Sequence, residues 1–278
     1  MCKWNLRKLA EALKPALPLD VGIKIVNETF DSEYNLHYGD IMRRKLGLQH
    51  EMSESTTHND ITVASDREII EEFLETMKLT GGDFTNCFRS LSTMSLPNLP
   101  DFEKSYEKTL EKLLKNCATH ETMLKQAESS INSRQVQLIL MLLESSPDVL
   151  ARLGFEQEQL SSMLSKVERV KELREREPDA KSANDRELWT KWLNSYKTRL
   201  TYDYRDGPTE HEALSELDTI RMSTMNSTNP RFVLRNYLAQ QAIAKAEKGD
   251  FSEVNKLYRI LQDPYSDKVS SMSAIYPC

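Results

Sequence analysis

Apolar residues recur at helical spacing along almost the whole chain, and this periodicity limits the possible folds more than any other sequence feature. Between residues 20 and 46 they follow one another at intervals of three to five, at Val21, Ile25, Phe30, Tyr34, Tyr38 and Ile41. Such intervals place side chains on one face of an α-helix. Gly47 then supplies a C-terminal stop, since glycine adopts the left-handed backbone of a C-cap without strain. The pattern predicts one long helix from 20 to 46.

Other helix ends are marked in the same way. Ser65 followed by Glu68 is a capping-box sequence, which predicts a helix beginning at residue 66. Gly81-Gly82 would end that helix, and Asp83 would cap the next one. Asn229-Pro230 fits a cap followed by proline in the first helical turn. It predicts a helix that runs from there towards Gly249.

Signals for β-structure are weak. The chain has only 8 glycines in 278 residues, too few for the tight turns of a β-protein. Strand-type alternation is hard to find, and residues 49–65 are interpreted as a polar loop. The predicted fold class is therefore all-α, with no substantial sheet.

The domain organisation is predicted from composition alone. Charge density rises around Pro178, which indicates a weak boundary near 176–184. This divides the chain into a helical region at 1–176, a second helical region at 177–264 and a loose tail at 265–278. No internal repeat of fixed period is found.

Charge and hydropathy exclude several partners. The net charge of −6 argues against broad nucleic-acid binding, which needs clustered Lys and Arg on many phosphates. No apolar run approaches the length of a membrane span, so no membrane partner is expected. The 4 cysteines lie far apart and are interpreted as reduced thiols of an intracellular protein. The basic and apolar N-terminal residues resemble an import signal, but an ordinary surface helix is preferred because Glu11 interrupts the basic series.

Few residues carry patterns typical of catalysis or metal binding. Thr80-Gly81-Gly82-Asp83 would suit a small nest of backbone amides, although a helix C-cap running into the next N-cap is the preferred interpretation. Cys117 and His120 have the spacing of zinc ligands, but one pair cannot supply the four ligands of zinc. The sequence therefore predicts no metal site.

The segment from Asn229 to Asn236 is the richest candidate. Arg231 and Arg235 would lie four residues apart on one face of the predicted helix. Two guanidinium groups in that arrangement suit a carboxylate or a phosphate. A structural ion-pair network with acidic neighbours is the alternative, and it is favoured.

Several long motifs resemble one protein family. Residues 229–265, NPRFVLRNYLAQQAIAKAEKGDFSEVNKLYRILQDPY, resemble the C-terminal signature of the selenoprotein O family of kinase-like protein adenylyltransferases. WNLRKLAEAL at 4–13, MRRKLGL at 42–48 and LETMKLTGGDFTN at 74–86 resemble further family blocks in the same order.

The resemblance implies a multi-helix C-terminal part of a protein-kinase-like fold, in a protein that transfers AMP from ATP to hydroxyl groups of Ser, Thr or Tyr in proteins. In the family pattern the nucleotide-binding, catalytic and metal-binding residues lie upstream of the WNLRKLAEAL block. The resemblance therefore assigns no catalytic, cofactor-binding or metal-binding residue to this chain, and ATP and Mg²⁺ are implied only for the full-length family member.

The expected partners follow from the same resemblance: the missing kinase-like N-terminal portion, and the protein substrates of the full-length enzyme. The chain alone is expected to be inactive, and an independent helical protein-interaction module without enzyme activity is the alternative. The location would be mitochondrial for a eukaryotic member and cytoplasmic otherwise. The ending SMSAIYPC departs from the family's redox-active terminus, so the resemblance gives Cys278 no redox role.

Overall fold

The computed structural model describes residues 1–58, 61–129, 157–175 and 177–266. Eleven helices lie in these ranges, and they are numbered in chain order: α1 Cys2–Ala12, α2 Leu19–Leu46, α3 Asp66–Thr80, α4 Phe84–Leu91, α5 Phe102–Lys115, α6 His120–Ser129, α7 Gln157–Glu175, α8 Pro178–Asp203, α9 His211–Thr228, α10 Asn236–Ala246 and α11 Ser252–Leu261. Two short strands, β1 Thr56–His58 and β2 Ile61–Val63, complete the described elements.

The main core forms around α8. Trp189, Trp192 and Tyr196 fall on one helical stripe and are almost completely buried. The ring of Phe73 on α3 lies 4.5 Å from the ring of Trp192 and 4.8 Å from that of Phe88 on α4. These aromatic contacts join α3, α4 and α8 in one apolar cluster, to which α5, α9 and the end of α2 also contribute.

The predicted helix ends at Gly47, Ser65 and Asp83 are confirmed. Gly47 has φ +67° and closes α2 in the left-handed conformation. Ser65 and Glu68 form both hydrogen bonds of the capping box at the start of α3. The Asp83 carboxylate accepts the N–H of Asn86 at 2.9 Å and so caps α4.

The predicted fold class is wrong as stated. Residues 56–63 form an antiparallel pair within the segment interpreted as a loop, with Thr56 opposite Val63. Five β-branched residues lie in the two strands, and Val63 is buried, so local β-preference and burial outweigh the polar composition. The described helices also do not show the C-terminal part of a protein-kinase-like fold. Periodicity identifies helices but does not fix how they pack, and that part of the prediction rested on resemblance alone.

Helices α1 and α2 form an antiparallel arm. The Lys3 ammonium contacts Asp31 at 2.6 Å and the Arg7 guanidinium donates to Asn27 at 2.7 Å, so α1 runs back along the first half of α2. Buried side chains of α2 that belong to the main core come only from its last turns, at Met42 and Leu46.

A second, smaller cluster lies between α10 and α11. It contains Phe232, Leu238, Ala242, Leu257 and Ile260. The predicted division between 1–176 and 177–264 stays a prediction, and the main core draws residues from both sides of it. Most of the predicted tail, including Cys278, lies outside the described residues. In the described part of the chain, no helix is long and apolar enough to cross a membrane.

Candidate functional site

The predicted helix beginning at Asn229 does not form there. Helix α9 ends at Thr228, residues 229–235 are non-helical, and α10 begins only at Asn236. Arg231 and Arg235 therefore do not share a helical face, and the prediction that they do is wrong. We refer to residues 229–235 as the linker segment.

Asn229 explains why the helix starts late. Its buried side chain donates from Nδ2 to the carbonyl oxygen of Lys45 at 2.8 Å and accepts from the Lys45 ammonium at 3.1 Å. It is therefore not available to cap a helix at Pro230. The backbone N–H groups of Arg231 and Phe232 both donate to the carbonyl oxygen of Pro264, which holds the segment against the end of α11.

Lys45 lies in the last turn of α2 and meets two aromatic rings of α4. Its Nζ is 5.0 Å from the ring centroid of Phe88 and 5.9 Å from that of Phe84. Partial burial lowers the pKa of this ammonium group. The described residues place no carboxylate within ion-pair distance of Lys45, so the rings and Asn229 supply its contacts.

Arg89 and Arg235 attach the linker segment to α4. Arg89 Nη1 donates to the carbonyl oxygens of Asn226 at 2.8 Å and Asn229 at 2.9 Å, which satisfies the last turn of α9. Arg235 Nη2 lies 2.5 Å from the Asp83 carboxylate. The favoured alternative, a structural ion pair with an acidic neighbour, is confirmed for Arg235.

Arg231 stands in a different environment. It lies near Lys112 on α5, and the pKa of Lys112 is lowered by burial and, less strongly, by the positive charges of Lys108 and Arg231. The linker segment therefore places the two arginines in different surroundings: Arg235 contacts the Asp83 carboxylate, and Arg231 lies on the side of α5.

The glycine pair and the Cys117–His120 pair are part of the scaffold. Gly82 N–H donates to Met77 O and Asp83 N–H to Asn116 O, so these amides are already used. Trp189 Nε1 donates to the Cys117 sulfur at 3.2 Å. The His120 ring contacts the carbonyl oxygen of Leu173 at 2.6 Å, and no third ligand accompanies either residue among those described.

The buried network around Arg199 was not predicted. Its guanidinium lies 2.7 Å from Asp66 and 3.0 Å from Asp203, and it donates to the carbonyl oxygen of His50 at 2.6 Å. It thereby ties the loop at His50 and the start of α3 to α8. The sequence feature that could have predicted its burial is its spacing, because Arg199 continues the buried stripe of Trp192 and Tyr196 along α8.

The buried carboxylates of Asp66, Asp203 and Asp218 do not suit Mg²⁺ bound to a nucleotide. Such an ion needs ionised oxygens that are free to coordinate it. Asp66 and Asp203 face Arg199, and Asp218 lies 2.8 Å from Arg221. These buried acidic groups are already neutralised, so no catalytic step is assigned to them.

The α1–α2 arm carries an apolar groove of about 590 Å³, which we call the arm groove. Ile25 is 52% and Tyr34 51% exposed, and both lie on the same helix. Its lining is Leu6, Ile25, Val26, Thr29, Phe30, Glu33, Tyr34, His37, Tyr38 and Ile41. A groove of this composition is typical of a surface that another protein element covers.

The family match and the similar curated proteins all point to the same family. The family described as Protein adenylyltransferase SelO matches residues 1–262. The mitochondrial protein adenylyltransferase SelO of Homo sapiens is 38% identical over 95% of this chain and 37% of its own length. The mitochondrial SelO-1 of Danio rerio is 34% identical over 96% of this chain and 37% of its own length.

A bacterial relative extends the comparison. Protein nucleotidyltransferase YdiU of Flavobacterium johnsoniae is 28% identical over 95% of this chain and 34% of its own length. The chain thus spans little more than a third of the length of these curated relatives.

Proposed function

Because this chain belongs to the SelO family of protein adenylyltransferases, we propose that it is the helical part of an enzyme that transfers AMP from ATP to hydroxyl groups of proteins. The observation that carries the proposal is the family match across residues 1–262. In this reaction a Ser, Thr or Tyr oxygen attacks the α-phosphorus of ATP, the bond to pyrophosphate breaks, and the hydroxyl proton leaves. Mg²⁺ would neutralise the phosphates, as in other reactions of nucleotides.

ATP and Mg²⁺ are proposed to bind the remaining length of a family protein. The curated relatives are much longer than this chain. In this chain Asp66, Asp203 and Asp218 form ion pairs with arginines. The backbone N–H groups of Gly82 and Asp83 already donate hydrogen bonds within the protein. Its role in AMP transfer would therefore be structural, and the isolated chain should not label proteins.

The arm groove is proposed as the surface that meets this remaining portion. It is apolar, it belongs to helices whose first halves lie away from the main core, and its exposed area favours burial against another element. Both portions are represented in the single polypeptides of the relatives, which would hold the two surfaces at high effective concentration.

The compartment is proposed by analogy with two relatives. The human and mouse relatives are named as mitochondrial. We expect a fluorescently tagged full-length protein to coincide with a mitochondrial marker, and a diffuse cytoplasmic signal would contradict this.

An AMP-transfer assay tests the proposal. ATP labelled at the α-phosphate, Mg²⁺ and a casein acceptor would be incubated with the purified chain, with a family protein lacking the matched region, or with both. We expect labelling only with both. Labelling by the chain alone, abolished by a point substitution within it, would show that it holds its own active site. Binding of the two portions without any labelling would favour an interaction module that has no enzyme role.

A further inference from the structure

Helix α11 carries exposed apolar side chains in addition to its buried face. Its buried residues belong to the smaller cluster that it shares with α10. Four further apolar residues are exposed by 57%, 39%, 63% and 38%: Phe251 at the N-cap, and Val254, Tyr258 and Leu261 within the helix. The intervals between them are three, four and three residues, so they form a second stripe along the helix. We call these four residues the α11 stripe.

The charged residues of α11 lie away from this stripe. Glu253, Lys256 and Arg259 follow one another at intervals of three, which places them together on another side of the helix. Glu253 also pairs with Lys245 of α10 at 3.0 Å. Asp250, just before the helix, accepts a backbone N–H of its first turn. Another protein surface could therefore cover the α11 stripe without burying an ionised group of this helix.

The order of the intervals favours a second copy of this chain as the occupant. Three, four and three reads the same in both directions, so an antiparallel copy related by a two-fold axis presents a matching stripe. Phe251 would then lie opposite Leu261 of the other copy, and Val254 opposite Tyr258. Antiparallel packing also places the positive N-terminal end of each helix dipole beside the negative C-terminal end of the other.

The exposed area indicates how strong this pairing can be. An aromatic side chain buries about 150–250 Å² when it is fully covered, and Phe251 and Tyr258 are each more than half exposed. Tyr265, just beyond the helix, is 44% exposed and adds to the apolar surface. With Val254 and Leu261 included, two copies would bury on the order of 1,000 Å², which is near the lower limit for a specific interface. The area therefore indicates a weak dimer.

We propose that this chain forms an antiparallel dimer through the α11 stripe. Burial of apolar side chains drives the association, and no ion pair between the copies is needed for it. This inference is independent of AMP transfer, because dimerisation involves neither ATP nor the arm groove.

Sedimentation velocity of the full chain over a concentration series tests the proposal. We expect the unchanged chain to shift from monomer to dimer as its concentration rises through the micromolar range. The Val254→Glu, Tyr258→Glu variant should dimerise about tenfold more weakly or not at all, because dimerisation would bury the new carboxylates. The Ile25→Glu, Tyr34→Glu variant carries the same change of charge in the arm groove and should dimerise as the unchanged chain does. Circular dichroism would verify that both variants are folded.

Cross-linking tests the antiparallel arrangement. Chains carrying Val254→Cys would be mixed with chains carrying Tyr258→Cys, treated with a short thiol-reactive cross-linker and digested for peptide mass spectrometry. We expect links between residue 254 of one copy and residue 258 of the other. Links that join each introduced cysteine mainly to its own counterpart would indicate parallel packing and contradict the proposed dimer.

Three sedimentation results would overturn the inference: a monomer at every concentration, equal dimerisation by the Val254→Glu, Tyr258→Glu variant, or loss of dimerisation in the arm-groove variant alone. A binding measurement tests the other possible occupant. If a family protein that lacks the matched region binds the unchanged chain but not the Val254→Glu, Tyr258→Glu variant, that protein covers the α11 stripe and the dimer proposal fails. Equal binding of this protein by both would leave the stripe to the second copy, as proposed.

Discussion

Single buried polar groups fix the way in which the helices meet, and Asn229 is the clearest of them. Its amide joins the end of α2 to the end of α9 through both the backbone and the side chain of Lys45. Contacts of this kind fix the relative position of two helix ends, because a buried polar group that loses its hydrogen-bond partner destabilises the fold.

Replacing Asn229 by alanine should therefore destabilise the protein. Loss of both hydrogen bonds leaves the Lys45 carbonyl without its donor, and we expect a decrease of about 1–3 kcal/mol in the free energy of unfolding. Urea denaturation would measure it. Asn236→Ala changes the same residue type at an exposed position and should alter stability by less than about 0.5 kcal/mol. Equal effects of the two substitutions would contradict the role given to Asn229.

Tyr204 gives a residue-scale prediction about alkaline pH. Burial raises the pKa of Tyr204 to about 12, against the weaker opposing effect of Arg221. A tyrosine in the unfolded chain ionises near pH 10. The neutral phenol therefore contributes stability that is fully present below about pH 10 and is lost as the pH rises towards 12.

The Tyr204→Phe variant should consequently lose less stability than the unchanged chain over that pH window. Urea denaturation at stepped pH values would measure the difference. Tyr258→Phe removes a mostly exposed hydroxyl and should leave the pH profile unchanged. Parallel profiles for the Tyr204→Phe variant and the unchanged chain would contradict the assignment.

At the scale of elements, Gly47 ends α2 and sets the direction in which the chain continues. It has φ +67°, and an added Cβ would lie 2.6 Å from the Met225 sulfur. Gly47→Ala therefore introduces both backbone strain and a steric clash.

We expect Gly47→Ala to lower the free energy of unfolding by about 1–3 kcal/mol. Gly39 lies within α2 itself, where an added Cβ meets only the end of the Arg43 side chain at 3.6 Å. Gly39→Ala should be neutral or stabilising by up to about 1 kcal/mol, because alanine favours helix. Thermal unfolding of both variants would measure the two effects. A Gly47→Ala variant as stable as the unchanged chain would contradict the role given to Gly47.

The elements also show what could be predicted from sequence. The ends of α2, α3 and α4 depend on local chemistry at Gly47, Ser65 and Asp83, so they were predictable. The start of α10 was not, because Asn229 is used by Lys45, which is far away in sequence. For Arg235 the sequence predicted an ion pair but not its partner, because Asp83 comes close only through the packing of the helices.

The arm should be the least protected described element in the isolated chain. Only the last turns of α2 enter the main core, whereas its first half pairs with α1 through Asp31 and Asn27. Hydrogen exchange should be faster across residues 2–36 than across 42–46. Strong protection across the entire arm would show that its helices already have sufficient partners within the chain.

At the scale of the whole molecule, the described residues form a well-packed aromatic core, a smaller apolar cluster between α10 and α11, and the exposed arm groove. The aromatic core holds the helices together, and Arg199 attaches the loop at His50 to that core. The arm groove is the feature that the main core does not account for, and family membership together with the greater length of the relatives gives it a proposed partner.

The decisive measurement is AMP incorporation by the chain mixed with a family protein that lacks the matched region. The unchanged chain should restore labelling, and the Ile25→Glu, Tyr34→Glu variant should fail to restore it although it remains folded. The Lys108→Glu, Lys112→Glu variant leaves the arm groove intact and should restore labelling of the casein acceptor. Equal labelling with the arm variant, or full labelling by the chain alone, would contradict the central claim that this chain supports AMP transfer by docking through its arm.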